Sequence, residues 1–453
     1  MSKPIGFDSG PQASERVMRR RAQLSAYLGS LLEYYDFYLY GYAAALVLGG
    51  LFFPTTDPSV GVLSSFASLA VGFLARPIGA LIFGHFGDRL GRRQVLVVTL
   101  LIMGLASVAI GLLPTYESIG LWAPAMLIAL RISQGVSAGG EFAGALLVAV
   151  EHASEHRRAL FSSVTQLGLY SGILLANVVL LLVSLLPDDA FMAWGWRVPF
   201  LSSIVLVAVT LWIRLKVSET PSFEHARRTG QLASNPLLDL FREQRRKVGL
   251  VVMVMIGVTA GAAFCISFLP AYAVASGFSK TQALVMPLIG TVLGMIVVPL
   301  AAHVSDLVGR RRVALVGCVF LAFGAWAALE GANTGNWPVT LTLSLIPMVA
   351  HSVAYAPTVA WIGELFPTRS RYSGVSVGFQ FAATFGAGLF PLIASALLIS
   401  TGGVPNYMLP LAYFALLLVV SIAGMLIARE TSAATFAELD ANGEAKHKTE
   451  RSS

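Results

Sequence analysis

The chain reads as long apolar runs separated by short polar or Pro/Gly-marked breaks. Twelve runs are long enough to cross a hydrocarbon core as helices, which takes roughly 20 residues. They lie near residues 24–53, 61–84, 95–113, 120–149, 160–186, 195–215, 248–275, 282–304, 313–331, 338–362, 372–399 and 406–428. None alternates polar and apolar residues as the strands of a membrane barrel do. Lipid offers no partner to an unpaired backbone, so each run predicts a helix. The longest polar break, about 216–247, contains Pro221 and Pro236, which interrupt any single helix there. It divides the chain into two sets of six. The pattern predicts an all-α membrane protein with an N-terminal segment 1–22, a six-helix bundle 23–215, a linker 216–247, a second six-helix bundle 248–428 and a tail 429–453.

Composition narrows the class. Of 453 residues, 56% are hydrophobic and 12% charged. A soluble domain carries about 25% charged residues, so this chain cannot clothe a soluble surface, and it is too apolar for disorder. No stretch of soluble composition reaches domain size, which argues against an enzyme on an anchor. The polar start ends in Arg19-Arg20-Arg21, and the run that follows contains acids and is far longer than a signal-peptide core. It is expected to be retained as the first span. Cys265 and Cys318 both fall in apolar runs and offer neither a metal spacing nor a disulfide framework.

The net charge of +7 matters through its placement. With the N-terminus inside, the inner segments hold Arg16 to Arg21, Arg89/Arg92/Arg93, Arg157/Arg158, Arg214 to Lys247, Arg310 to Arg312 and Arg369/Arg371. The outer loops hold Asp57, Glu117, Asp188, Asp189 and Glu330, with little base beyond Lys280 and Arg197. This asymmetry predicts an even number of spans in a plasma or inner membrane, with both termini cytoplasmic. The basic residues suit a lipid surface rather than nucleic acid.

Two internal repeats appear. Gly87-Asp88-Arg89-Leu90-Gly91-Arg92-Arg93 recurs 218 residues later as Ser305-Asp306-Leu307-Val308-Gly309-Arg310-Arg311. Glu151 and Arg158 recur 213 residues later as Glu364 and Arg371. Each pair occupies matching places in the two halves, which predicts duplicated bundles with a substrate site between them near the midplane. Gly84, Asp88, Arg89, Gly91, Arg92 and Arg93, with Asp306, Gly309, Arg310 and Arg311, are candidate gating residues. Glycine allows a tight turn there, and the acid and arginines can form a latch that breaks and reforms.

These loops resemble the signature between helices two and three of the major facilitator superfamily. Arg131-x2-Gln134-Gly135 with Gly139-Gly140-Glu141 resembles its helix-four motif. More specific strings are Glu33-Tyr34-Tyr35-Asp36-Phe37, Ala75-Arg76-Pro77-Ile78-Gly79, Gly195-Trp196-Arg197-Val198-Pro199-Phe200 and Glu364-Leu365-Phe366-Pro367-Thr368-Arg369-x-Arg371-Tyr372-Ser373-Gly374. Over about residues 22–430 the chain is similar to the metabolite:proton symporter family, whose members carry shikimate, 2-oxoglutarate, citrate and other organic acids, or proline and betaine. The second loop departs from the pattern in lacking the Arg that follows Asp88.

Buried charge can be read without the family. An ionisable residue inside a span is costly and by default functional. Glu33, Asp36, Arg76, Arg131 and Glu141 qualify. Asp36 lies roughly 18 Å from the inner end of its run and Arg131 roughly 17 Å from the outer end of its own, at 1.5 Å per residue. In a core about 30 Å thick both fall near the midplane. Asp36 then pairs with Arg131 or takes a proton, and a proton on Asp36 leaves Arg131 for a substrate carboxylate. The resemblance supports this, because related sugar–proton symporters use a helix-one acid and a helix-four arginine. A static ion pair is the alternative. Glu33 lies one turn below Asp36 and joins the candidate proton-coupling set. Arg76 and Glu141 fall nearer the inner end and form a candidate inner-gate pair, or a static one.

Candidate substrate contacts besides Arg131 are Tyr34 and Tyr38 on one face of the first helix, Gln166 and Tyr170 (with Asn177) on the fifth, His351 on the tenth, and Gln380 (with Thr384) on the eleventh. Ala350-His351 resembles the matching stretch of shikimate carriers. Helix packing is the competing role for each. The Gly-rich stretches lie inside spans and lack a P-loop lysine, and no metal or cofactor motif is found, so an ion gradient is the expected energy source. The reading is a secondary active transporter by alternating access, proton-coupled for a small organic acid such as shikimate or a related mono- or dicarboxylate, with a proline/glycine betaine symporter as the alternative. A channel, a membrane enzyme and a receptor fit the duplicated halves and latch loops less well. Partners are expected to be substrate, protons and lipid, with the chain a monomer.

Overall fold

The computed structural model describes residues 11–54, 58–154, 156–183, 185–230, 236–435 and 438. Asp57, the first ten residues and most of the tail lie outside them. Twelve long helical segments are present among the described residues. In the first half they are α1 (Pro11–Ala43, continued through a π turn Ala44–Leu48 to Gly49–Phe52), α2 (Pro58–Leu90), α3 (Arg92–Leu112), α4 (Trp122–Glu151), α5 (Arg158–Val183) and α6 (Arg197–Arg214). In the second they are α7 (Arg245–Ala263, continued through a π turn Phe264–Phe268 to Leu269–Ala275), α8 (Lys280–Val308), α9 (Arg310–Asn333), α10 (Trp337–Glu364), α11 (Arg371–Ala383, continued through a π turn Thr384–Gly388 to Phe390–Ser400) and α12 (Met408–Ile427).

Ten of these are long and apolar enough to cross a membrane. The two that miss that measure are α1 and α4, which carry Glu33, Asp36, Arg131 and Glu141. Charge withdrawn to the interior lowers the mean hydropathy of a helix without exposing anything polar to lipid. All four side chains are buried, whereas Leu181, Leu182, Ile296, Leu300, Val319 and Phe320 are exposed on the outer faces, as lipid contact requires.

The halves repeat one packing plan. In the first, α1 packs on α5 and α2 on α4; in the second, α7 packs on α11 and α8 on α10. The interface between halves is made by α5 with α8 and α10, and by α2 and α4 with α11. Small residues bring backbones together. A Cβ on Gly79 would lie 1.8 Å from the Val136 carbonyl oxygen, and one on Gly135 would lie 2.0 Å from that of Gly72, so α2 and α4 cross at their closest through glycine. The linker holds two short helices, Pro221–Arg228 and Pro236–Glu243, each opened by its proline.

Candidate functional site

A cavity of about 310 Å³, its open mouth included, lies within the first half. It is lined by Glu33, Asp36 and Phe37 of α1, Gly72 and Arg76 of α2, Met103 of α3, and Arg131, Gln134, Gly135 and Ala138 of α4. Helical spacing sets this arrangement. Glu33 and Asp36 are one turn apart on α1, and Arg131, Gln134 and Ala138 share one face of α4. The cavity thus gathers two acids and two arginines.

Asp36 and Arg131 do not touch directly. Asp36 accepts hydrogen bonds from the hydroxyls of Ser107 on α3 (2.5 Å) and Ser203 on α6 (2.8 Å). Ser107 accepts from Gln134 Nε2 (2.7 Å), and Gln134 Oε1 accepts from Arg131 (2.7 Å). The expected ion pair is replaced by a three-bond chain, Arg131–Gln134–Ser107–Asp36. Arg131 also lies over the Tyr40 ring, 3.9 Å from its centre, which steadies a guanidinium taken out of water. Gln134 stood in the helix-four motif, but nothing in the sequence tied it to Ser107 on the neighbouring helix.

The Arg76–Glu141 pair is not formed either. Glu141 faces away from the cavity, where it pairs with Arg214 of α6 through two hydrogen bonds and accepts a third from Thr99 (2.8 Å). This assembly joins helices of one half only. Arg76 instead faces Glu33 at 3.8 Å, between the rings of Phe37 and Phe73. Sequence depth placed Arg76 and Glu141 at one level but could not show toward which neighbouring helix each would point.

The other candidates for substrate contact lie outside that cavity. The Tyr170 hydroxyl meets that of Ser352 at 3.2 Å across the halves, and the His351 ring stacks on Tyr355 at 5.5 Å. Tyr38 packs at the edge of the Tyr170 cluster. Tyr34 and Tyr170 both come near Tyr355. Gln166 is buried with neither amide atom hydrogen-bonded, and His351 Nε2 is likewise without a partner. Asn177 bonds back to its own helix at Ile173. Gln380 donates to the Ala138 carbonyl (3.1 Å), directly beneath the cavity.

The basic end is shut. Tyr372, Ser376 and Gln380, spaced four apart on α11, donate to Gly140, Gly139 and Ala138 on α4. Asp88 accepts the backbone N–H groups of Tyr372 (3.1 Å) and Ser373 (2.9 Å), capping α11 from the opposite half. Asp306 caps α5 through Ala159 (3.1 Å) and Leu160 (2.9 Å) in the same way. Gly84 and Gly87 admit this contact, since a Cβ on either would meet Ser373 or the Tyr372 ring. Gly91 and Gly309 turn the chain at φ +112° and +106°, where a side chain is strained.

Two partners missed as site residues complete each latch. Glu151 lies between Arg92 of its own half (3.9 Å) and Arg371 of the other (3.0 Å). Glu364 lies between Arg310 (3.2 Å) and Arg158 (3.4 Å) in the mirrored arrangement. Glu219 accepts from the backbone of Arg92 and Arg93, and Glu430 does so from Arg310 and Arg311. Arg93 and Arg311 reach the carbonyls of Leu215 and Ala428. The repeat Glu219-Thr220 and Glu430-Thr431 was the available sequence signal. Arg89 is exposed and reaches His85 at 3.5 Å, and Leu307, its counterpart, is exposed as well. The missing arginine therefore removes no contact between the halves.

Two duplicated bundles, latched at one end around buried charge, are the architecture of a carrier. A family model for the sugar (and other) transporters matches residues 22–238 and 222–442. The chain belongs to this family, within the major facilitator superfamily. This transporter is 37% identical over 384 residues to the inner membrane metabolite transport protein YhjE of Escherichia coli (strain K12), covering 83% of this chain and 87% of that one. It is 37% identical to the shikimate transporter of the same organism, covering 86% and 90% of the two chains. It is 32% identical to that organism's proline/betaine transporter, covering 90% and 82%. Its fold matches the proton:xylose symporter XylE bound to 6-bromo-6-deoxy-D-glucose with a TM-score of 0.78 at 19% identity, covering 94% of this chain and 99% of that one. The protein is a multi-pass membrane transporter of small molecules and not an enzyme.

Proposed function

We propose that this transporter carries a small organic acid together with a proton, driven by the proton gradient. The observation that carries the reading is the hydrogen-bonded chain from Arg131 through Gln134 and Ser107 to Asp36 at the cavity wall. Shikimate or a related mono- or dicarboxylate is the proposed cargo, supported by the similarity to the shikimate transporter. The basic end faces the cytoplasm, and the latched conformation holds that end shut while the cavity waits for substrate from the other side.

The steps follow from the chemistry of burial. A proton on Asp36 removes its charge and turns the acid from acceptor to donor. Ser107 then accepts from Asp36 and turns its own proton away, and two donors competing for one hydroxyl oxygen weaken its bond to Gln134 and, through it, the hold on Arg131. The freed guanidinium binds the substrate carboxylate through a two-bond fork, and the loaded cavity stays neutral. Neutral loading removes the cost of carrying charge as the bundles rock about α2/α11 and α5/α8. The latches at Glu151 and Glu364 part, and substrate and proton leave on the cytoplasmic side.

The test is uptake by purified protein in liposomes with the interior alkaline. Labelled shikimate, 2-oxoglutarate, citrate, proline and betaine are each followed with and without a protonophore. Accumulation of an organic acid that the protonophore abolishes supports the reading. Uphill uptake by Asp36→Asn removes Asp36 from proton coupling, and accumulation of proline or betaine alone moves the cargo to the osmolyte class.

A further inference from the structure

The cavity contains a second guanidinium that the proposed cycle does not use. Arg76 is 7% exposed, yet its side chain makes no hydrogen bond among the described residues. Its one charged neighbour within 4 Å is Glu33, at 3.8 Å, beyond hydrogen-bond reach. Other buried arginines are hydrogen-bonded even where the ion pair is long: Arg92, 3.9 Å from Glu151, donates to the carbonyls of Gly87 and Thr368. Glu141 and Arg214 share two hydrogen bonds, and Arg310 meets Asp306 at 2.6 Å. Arg76 thus pays for burial without the bonds that normally offset it. The rings of Phe37 and Phe73, 5.2 and 4.7 Å from its guanidinium carbon, hold it in place from its flanks and leave its donors turned to the cavity.

Arg131 is close by. A Cβ on Gly72, one turn from Arg76 on α2, would lie 3.1 Å from Nη2 of Arg131. Two guanidiniums therefore border one small space, roughly one helical turn apart. Among the described residues the acids lining this space are Glu33 and Asp36, and neither makes a direct hydrogen bond to either arginine. We infer that Arg76 is a second residue that binds the substrate's carboxylate, and that Glu33 holds that carboxylate's place before substrate binds.

This rests on the proposed organic-acid reading. One carboxylate set between Arg76 and Arg131 bonds donors that are now unused. Charge agrees: the empty cavity holds two acids and two arginines, and a carboxylate arriving with one proton, on Glu33 or Asp36, keeps the sum at zero. The charged groups facing Glu33 are Arg76 on α2 and, farther off, Glu141 on α4 with Arg214 on α6; Tyr34 and Tyr355 are its phenolic neighbours.

The inference separates from a static ion pair by the sign of two substitutions. In a static pair, removing either partner leaves the other charge buried alone, and both changes impair binding and stability together. If Glu33 competes with substrate, Glu33→Gln tightens binding and Arg76→Gln weakens it. The experiment is calorimetric binding to the full-length protein in nanodiscs, with shikimate as probe and its neutral methyl ester as control. 2-Oxoglutarate and citrate are run in parallel.

Arg76→Gln is expected to weaken shikimate by about tenfold or more, the worth of a charge-assisted hydrogen bond, and to leave the methyl ester unchanged. Arg76→Lys, which keeps the charge without the fork, should fall between, and serves if the glutamine variant does not fold. Glu33→Gln should tighten shikimate by about threefold or more, and that gain should vanish in the double variant. Weaker binding by both Glu33→Gln and Arg76→Gln, or equal loss for acid and ester, overturns the inference. If Arg131→Gln abolishes binding while Arg76→Gln leaves it intact, the organic-acid reading stands and this one falls. If none of the three acids binds the unmodified protein, both fall.

Discussion

Glu151 and Arg371 lie 3.0 Å apart and 220 residues apart in the chain, each fully enclosed where the two bundles meet. Glu151 belongs to the end of α4 and Arg371 to the start of α11. Arg92 lies beside Glu151 on its own half, 3.9 Å away, so the acid is flanked by an arginine from each bundle. Glu364 and Arg158 repeat the contact with the halves exchanged. Such a pair is stable only while the bundles stay closed, since parting them exposes both groups to water, where each is well solvated alone. In the proposed cycle, parting the bundles would carry the same charges from buried pairs to separately hydrated groups.

Neutralising one member should open the basic end. Arg371→Gln and Glu151→Gln are each expected to raise the open population, read as a longer distance between spin labels on the basic ends of α2 and α11. The two changes should be non-additive, with a coupling of about 0.5–3 kcal/mol in a double-mutant cycle. Full additivity would mean that the residues act separately.

The chain between Arg131 and Asp36 predicts a role for an uncharged residue. Gln134→Leu keeps volume and removes both links, leaving the Ser107 hydroxyl without its donor. Substrate exchange at equal concentrations should continue, while proton-driven accumulation falls by about tenfold, the value of one or two hydrogen bonds. An unaltered accumulation ratio and pH profile would show that Asp36 and Arg131 communicate by another route.

Glu141 is predicted to matter for folding and not for coupling. It is bonded to Arg214 and Thr99 within one half, so the proposed rocking of one bundle against the other would leave these bonds intact. Glu141→Ala strands Arg214 as a buried charge and should destabilise the protein by about 3–5 kcal/mol, read as a lower melting temperature in detergent. Protein that survives should retain its proton dependence. A variant of normal stability with uncoupled transport would reverse the assignment.

Glu430 gives a pH prediction outside the membrane. Partial burial raises its pKa, but hydrogen bonds from the backbone N–H groups of Arg311, Arg310, Ser432 and Thr431 outweigh it, and the carboxyl titrates below its ordinary value. A group whose folded pKa is lowered lends stability above its unfolded pKa and loses it as pH falls through the folded value. The unmodified protein should therefore be more stable than Glu430→Gln at pH 7, with the difference shrinking as the solution is taken below the usual carboxylate range. A constant difference across that range would assign the effect to packing.

Much of this was written along the chain. Run length and apolarity set twelve helices, because lipid permits no other way to satisfy a lone backbone segment. The repeats at Asp88/Asp306 and Glu151/Glu364 marked the duplicated halves and the end that latches. Hydropathy and spacing act within one helix or between tandem copies, so a single sequence displays them.

Which charges met was decided by the tertiary structure alone. Depth along a helix follows from residue number, but azimuth relative to a neighbour depends on how two helices cross. That is set by side-chain volumes on both, such as Gly79 and Gly135 admitting α2 against α4. A rotation of one residue, 100° about the helix axis, moves a side chain from one neighbour to another. Hence Arg76 found Glu33 and not Glu141, Glu141 found Arg214, and Asp36 reached Arg131 only through Ser107 and Gln134.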